Sequence, residues 1–285
     1  MSLGKIIILA IVQGLAELLP VSSSAHVVVA ERLMGLDASS PQMTLLLVML
    51  HSGTMLAVIV YFWKQWRRTY FRNAESFGQI ALRLIFATIL TGIVGEIVIK
   101  IIEKTILRGI PHAEIEDLFN HLEWIAPALA AAGLLILIAG LLKREPIVND
   151  GEPNMKQAGL IGAMQGFCLP FRGFSRSGAT ISTGMLAGIA KERAETFSFA
   201  LAVILTPPVV AREMLRLVHA EHINGGLNLA SAMVPGLVGA GCSFLAGLLA
   251  LKWLSKWLEG GRWYLFGIYC LVAALAVLAL HHAGY

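Results

Sequence analysis

Residues 3–35 read LGKIIILAIVQGLAELLPVSSSAHVVVAERLMG. The stretch is apolar at both ends and broken in its middle by Glu17, Pro20, Ser22, Ser23, Ser24 and His26. A helix needs about 20 apolar residues to cross a bilayer, and neither half offers them. The reading is helix, polar break, helix. Irregular backbone at membrane depth survives only where protein or a water-filled cavity surrounds it. The segment is therefore expected to dip into the membrane and return on the same side. Residues 157–190, QAGLIGAMQGFCLPFRGFSRSGATISTGMLAGIA, repeat the pattern, with Pro170, Arg172, Gly173, Ser175, Arg176, Ser177 and Gly178 in the break.

The rest of the chain supports a membrane setting. Of its 285 residues 57% are hydrophobic and 14% charged, and the mean hydropathy is +0.74. A soluble domain carries about 25% charged residues, so too little polar surface remains to face water. Six spans are expected: Pro41–Trp63, Leu84–Ile102 with Glu96 and Lys100 toward its end, Trp124–Leu142, Thr196–Ala211 with Pro207 and Pro208, Ile223–Leu251 and Trp263–Leu280. The fold class is thus all-α: a polytopic membrane protein of six transmembrane helices plus two re-entrant helical hairpins in an inverted repeat. No Lys/Arg run is dense enough to track nucleic acid. Cys168, Cys242 and Cys270 lie in apolar stretches without metal-ligand spacing and read as small buried hydrophobes. No small-residue cleavage site follows the first apolar run, so the N-terminus is not read as a cleaved signal.

The two broken stretches resemble each other. Gln13-Gly14-Leu15 precedes Pro20 and its serines, as Gln165-Gly166-Phe167 precedes Pro170 and its own. Each stretch ends at a glycine, Gly35 or Gly188, and a span follows near Thr44 or Thr196. Broken segments at matching places in two halves point to an inverted repeat with its site at the repeat interface. One integral membrane domain over residues 1–285, with approximate repeats 1–142 and 156–285, follows. If each hairpin returns to its starting side, Lys64–Arg72, Lys143-Arg144, Lys191–Arg193 and Lys252–Arg262 share a face, opposite Glu114, Glu116 and Asp117. Basic loops mark the cytoplasmic side, which leaves both termini outside.

The breaks carry the chemistry. Proline followed by serines signals a helix N-terminus, whose free N–H groups and dipole make an anion site. Ser22 and Ser23 lie four and three residues before His26, so either hydroxyl can share a helical face with the imidazole. Hydroxyl beside imidazole is the minimum for an activated nucleophile, and Glu17 can orient the histidine, take a proton or bind a metal. In the second break Ser175, Ser177 and Thr180 offer hydroxyls, Gly178 lets backbone approach closely, and Arg176 can fork onto phosphate oxygens. An arginine at that depth costs at least ~2.5 kcal/mol and needs a partner, either a phosphate or Glu17. Ser24 reads as a close-packing residue. His51, mid-span in Leu50-His51-Ser52-Gly53-Thr54, reads as packing or support rather than direct chemistry. His281-His282 has nothing upstream to complete a metal site.

Gly14 to His26, GLAELLPVSSSAH, resembles the first signature of the undecaprenyl-diphosphate phosphatase (bacitracin-resistance) family, and Gly173 to Thr180, GFSRSGAT, resembles the second. His51-Ser52-Gly53-Thr54, Ala57-Val58 and Tyr61-Phe62-Trp63 are also similar to the family, and the resemblance runs along the whole chain. It implies hydrolysis of undecaprenyl diphosphate to the monophosphate at the outer face of the bacterial inner membrane. That reaction recycles the lipid carrier for peptidoglycan synthesis and is linked to bacitracin resistance. A divalent cation, Mg²⁺ or Ca²⁺, is implied as cofactor, and polyprenyl diphosphate lipid and the bilayer as partners; a homodimer is an open option.

Carried over by residue, the resemblance assigns catalysis to Glu17, Ser23, His26 and Arg176, with either Ser23 or His26 as nucleophile or base. Gln13, Ser22, Ser175, Ser177, Gly178 and Thr180 become substrate contacts and Glu17 the metal ligand. The chain departs from the pattern at Gln13, where the family usually has a second Glu, and at Pro170-Phe171-Arg172-Gly173, where residues stand between the family's Pro and Gly. A lipid-phosphate transporter or flippase of the same fold is the rival reading, since broken helices in inverted repeats also build transporters.

Overall fold

The computed structural model describes residues 1–36, 41–105, 121–142, 151–224, 229–259 and 261–284. Within them the chain forms ten helices and no strand: α1 (Leu3–Leu18), α2 (Ser23–Leu33), α3 (Pro41–Thr69), α4 (Ala74–Thr105), α5 (Leu122–Leu141), α6 (Met155–Cys168), α7 (Arg176–Leu186), α8 (Lys191–Asn224), α9 (Leu229–Glu259) and α10 (Tyr264–His282). Five of the described helices are long and apolar enough to cross a membrane, those within α3, α4, α5, α9 and α10. The protein is a multi-pass, all-helical membrane protein.

Both broken stretches are helix pairs. The first splits after Leu18 and resumes at Ser23, and the second splits after Cys168 and resumes at Arg176. Gly35 and Gly188 close α2 and α7 in the same way. Each has positive φ, 61° and 84°. The amide of the next residue reaches back to the carbonyl of Glu31 in one case and Gly184 in the other. This is the glycine stop that an L side chain resists.

Several expected boundaries move. Helix α3 runs on to Thr69, so Lys64, Arg67 and Arg68 lie on helix rather than in a loop. Helix α4 starts at Ala74, well before Leu84. Ile223 belongs to the end of α8, and α9 begins at Leu229. These helices continue past the hydrocarbon layer, and hydropathy sees only the apolar part. Among the described residues, helix α8, which contains Thr196–Ala211, does not reach the apolar length of those five. It opens on Lys191, Glu192, Arg193 and Glu195 and carries Pro207 and Pro208 inside. The acidic segment at Glu114, Glu116 and Asp117 and the pair Lys143-Arg144 lie outside the described residues.

The lipid-facing surface is explicit on α4. Ile85, Ile89, Ile93, Ile97 and Ile101 recur every four residues and are each 50–57% exposed. That stripe is a liability in water and ordinary against lipid tails. Inside the bundle, α1 packs on α9, α6 on α4, α5 on α10, and α3 on both α8 and α9. Small residues permit these contacts, as expected where lipid gives helices no hydrophobic drive to associate. Gly14 of α1 lies against Ala246 and the Ser243 carbonyl of α9, Gly162 of α6 lies on the Ala87 backbone of α4, and Gly133 and Gly267 face each other between α5 and α10. A Cβ at position 162 would stand 2.6 Å from the Ala87 Cα. Gly162→Ala should therefore cost about 1–3 kcal/mol by overpacking, read as a lower midpoint of thermal unfolding in detergent, while Gly92→Ala, where nothing lies within 4 Å, should not lower it.

Candidate active site

The first break turns at Pro20 and Val21 and then caps α2. Ser22 is the N-cap, its side chain accepting from the Ala25 amide. Its φ of 68° is the only positive value at a non-glycine among the described residues. Such a conformation costs about 1–3 kcal/mol and persists only when its surroundings hold it. The second break ends in the same device, with the Ser175 hydroxyl accepting from the Gly178 amide at 3.2 Å to cap α7. Pro20 stands in the turn rather than in the first helical turn.

The two breaks are stitched together. The Gly173 amide donates to the Ser24 hydroxyl at 3.1 Å, and the Ser177 hydroxyl donates to the Leu19 carbonyl at 3.3 Å. Ser24, read as a packing residue, is thus a cross-link. Between these stitches lies the charged core. Arg176 Nη2 donates to Glu17 Oε1 at 2.9 Å, Ser23 Oγ donates to Glu17 Oε2 at 2.5 Å, and Gln13 Nε2 donates to the same Oε2 at 3.2 Å. The ion pair is mostly covered, with side-chain exposures of 17% for Glu17 and 21% for Arg176. Arg176 Nη1 is buried with no hydrogen-bond partner among the described residues, which leaves donors for an incoming anion.

A cavity of about 350 Å³ opens on this cluster. Gln13, Glu17, Ser22, Ser23, Ser175, Arg176 and Ser177 all line it, together with apolar Leu47, Leu169, Phe171 and Phe174. It has the mixed lining expected for an anion with an apolar extension. Glu17 and Arg176 also border a chamber of about 20 Å³ lined by Thr54, Val203 and Thr206, room for roughly one water.

Three expected members are elsewhere. His26 does not line the cavity. Its Nδ1 is 2.7 Å from the Ser22 carbonyl, and its Nε2 is 2.7 Å from the Tyr269 hydroxyl of α10, whose ring stacks on it. A carbonyl only accepts, so Nδ1 carries the proton and neither nitrogen is left for Ser23. Helical spacing placed His26 near the serines correctly, but the carbonyl of the cap captured the ring. Gly178 packs against Ile136 of α5, and the Thr180 hydroxyl lies 2.6 Å from Ser198 and 2.8 Å from the Arg176 carbonyl. Both face the bundle interior because α7 turns that side of the helix away from the cavity.

The imidazole that does reach the site is His51. Its Nε2 stands 3.7 Å from Glu17 Oε2, and its Nδ1 is 2.8 Å from the Leu47 carbonyl. It faces both the cavity and the small chamber. The available signal was a histidine in the middle of a span, since an intramembrane ionisable residue is a functional candidate by default. Among the described residues no group of three or more His, Cys, Asp or Glu gathers for a metal.

The bundle and its cavity define a class, that of integral membrane proteins with a covered Glu–Arg pair held between two helix breaks. The chain belongs to the family described as bacitracin resistance protein BacA, which it matches over residues 6–276. It is 55% identical to undecaprenyl-diphosphatase 2 of Acinetobacter baylyi over 283 residues, 98% of each chain. It is 34% identical to undecaprenyl-diphosphatase 2 of Burkholderia orbicola over 290 residues and 35% identical to undecaprenyl-diphosphatase 1 of Burkholderia pseudomallei over 292, in both cases 98% of this chain and 96% of the other.

Breaking a covered ion pair from one side leaves an uncompensated charge, whereas removing both partners does not. Arg176→Gln should lower stability by about 3 kcal/mol, and Glu17→Gln combined with Arg176→Gln should recover most of it. Thermal unfolding of the single and double variants in detergent checks the cycle.

Proposed function

We propose that this protein hydrolyses undecaprenyl diphosphate to undecaprenyl phosphate and inorganic phosphate, with Ser23 as nucleophile. The observation that carries the reading is the Ser23 hydroxyl bonded to Glu17, which is itself paired with Arg176, at the wall of one cavity. The relatives named above bear the same activity in their names.

Ser23 Oγ attacks the terminal phosphorus and its proton passes to Glu17 Oε2. The bridging P–O bond breaks, and Glu17 hands the proton to the departing undecaprenyl phosphate. A water then attacks the phosphoserine. Glu17 takes the water's proton and returns it to Ser23 Oγ as that P–O bond breaks, and phosphate leaves. Arg176 and the capped N-termini of α2 and α7 stabilise the charge on the transferring phosphoryl group. His51 holds Glu17 from the side opposite Arg176. His26 acts at one remove, fixing the Ser22 turn through its carbonyl. Ser22, Ser175 and Ser177 line the phosphate end of the cavity.

The residues present fit Mg²⁺ or Ca²⁺ in one way. Glu17 and the carbonyl oxygen of Gln13 are two oxygen donors, too few to hold such an ion alone, but such ions are commonly completed by substrate phosphates. A cation bound there would neutralise diphosphate charge.

Four short helices support the re-entrant arrangement. Helices α1, α2, α6 and α7 have 16, 11, 14 and 11 residues, or roughly 24 Å at most at 1.5 Å per residue, against a hydrocarbon core of about 30 Å. With α3, α4, α5, α8, α9 and α10 crossing, the two repeats 1–142 and 156–285 pair α1 on α9 with α6 on α4, and Gly14 and Gly166 make the corresponding contacts. The basic residues of Lys64–Arg72, Lys191–Arg193 and Lys252–Arg262 favour a cytoplasmic face for those ends, with the cavity open to the outer side of the inner membrane. Transport would need the anion clamp but no bonded serine.

Purified protein should release phosphate from undecaprenyl diphosphate, faster with Mg²⁺ or Ca²⁺ than with chelator. Ser23→Ala and Arg176→Ala should each lose on the order of 10²-fold or more in kcat, and His26→Ala should lose less than either. Wild-type rates in Ser23→Ala would remove the nucleophile, and lipid translocation without phosphate release would favour a flippase.

A further inference from the structure

Helix α10 packs on α5, yet it also reaches the first break, at two consecutive residues. The Tyr269 hydroxyl is 2.7 Å from His26 Nε2, with the two rings stacked at 5.7 Å between centroids. The Cys270 thiol, fully buried, donates to the Pro20 carbonyl at 3.4 Å. In sequence these contacts fall on either side of Ser22, and neither Tyr269 nor Cys270 lines the cavity. The steps above give α10 no part.

The direction of each bond follows from the one beside it. The Ser22 carbonyl only accepts, so His26 Nδ1 donates to it at 2.7 Å, and Nε2 of the neutral ring accepts from the Tyr269 hydroxyl. The hydrogen bond on one imidazole nitrogen sets the proton on the other. The Ser22 carbonyl lies in the same rigid peptide plane as the Ser23 amide. Ordering that carbonyl therefore orders the backbone from which the Ser23 hydroxyl reaches Glu17. The plane needs holding, because Ser22 sits at φ 68°, a conformation that side chains resist.

We propose that Tyr269 is a positioning residue for the phosphoryl transfer, its hydroxyl acting through His26 to fix the peptide on which Ser23 stands. The Tyr269 ring is 47% exposed, and a phenylalanine would cover the same surface and stack on the same imidazole. Only the oxygen sets the tautomer. The inference rests on the reading of Ser23 as nucleophile and extends the site to a helix that does not touch the substrate cavity.

The test compares Tyr269→Phe with wild type, each with and without His26→Ala, in the purified full-length protein. Tyr269→Phe should lower kcat for undecaprenyl diphosphate about fivefold and leave KM within about twofold. In the His26→Ala background it should change kcat by less than about 1.5-fold, since the link is already cut. An unchanged kcat in Tyr269→Phe, or the same fall in both backgrounds as a merely structural loss would give, overturns the assignment. Nitrogen NMR of labelled histidine, with the His26 signal assigned by its loss in His26→Ala, reads the link without catalysis. Wild type should carry the proton on Nδ1, and Tyr269→Phe should show a mixture of tautomers. An unshifted tautomer in the variant overturns the assignment, and a wild-type proton on Nε2 does so even if Tyr269→Phe does not fold. A wild type that releases no phosphate but shows the tautomer change would remove the diphosphatase reading and leave the link from Tyr269 to the Ser22 turn standing.

Discussion

The rest of the molecule is arranged around the ion pair between Glu17 and Arg176, 159 residues apart in the chain. A guanidinium inside a membrane domain is costly without a counter-charge, and a carboxylate there is no better placed. Each is tolerable only because a break in one helix pair is held against a break in the other. The holding is done by main chain as much as by side chain. Gly173 reaches Ser24, and Ser177 reaches Leu19. Two interrupted helices that would be defects separately become a single satisfied unit together.

That unit has to be gripped by straight helices, and the packing shows how. Where α1 meets α9, α6 meets α4 and α5 meets α10, glycines bring backbones into direct contact. Hydroxyls add short links between elements, such as Ser243 to the Leu50 carbonyl and Thr91 to the Gly162 carbonyl. Between these close contacts the interior is filled by large apolar side chains, Trp263, Phe197 and Phe199 among them. Large apolar side chains also face outward, as the isoleucine stripe of α4 shows, so the exterior is apolar as well, unlike that of a soluble domain.

Much of this was legible in the sequence, for local reasons. The two breaks, the serine caps and the glycine stops at Gly35 and Gly188 depend on residues within a turn of each other, and those signals were present. The partnership of Glu17 with Arg176 could be inferred because an arginine at depth requires a counter-charge and few candidates exist. What the sequence did not reveal was the rotation of each helix about its axis. Spacing says that His26 and the serines are neighbours on α2. It does not say that Ser23 looks toward Glu17 while His26 looks toward Tyr269 of α10. The same ignorance placed Gly178 and Thr180 in the cavity, and it left His51 undecided between packing and support, although it stands beside Glu17. Helix ends beyond the apolar layer were also invisible, because hydropathy reports where lipid begins and not where hydrogen bonding stops.

The proline pair in α8 bears on the small chamber. Proline has no amide hydrogen, so Pro207 cannot supply the helical donor that the carbonyl of Val203 would otherwise receive. Val203 and Thr206 border the chamber beside Glu17, and the Thr206 hydroxyl turns back to Ala202. A main-chain carbonyl without its usual helical donor thus belongs to a residue of that wall, and the neighbour one turn along is the cause. Exchanging the side chain at 203 leaves that oxygen in place, so this wall can drift in composition without the missing donor being restored.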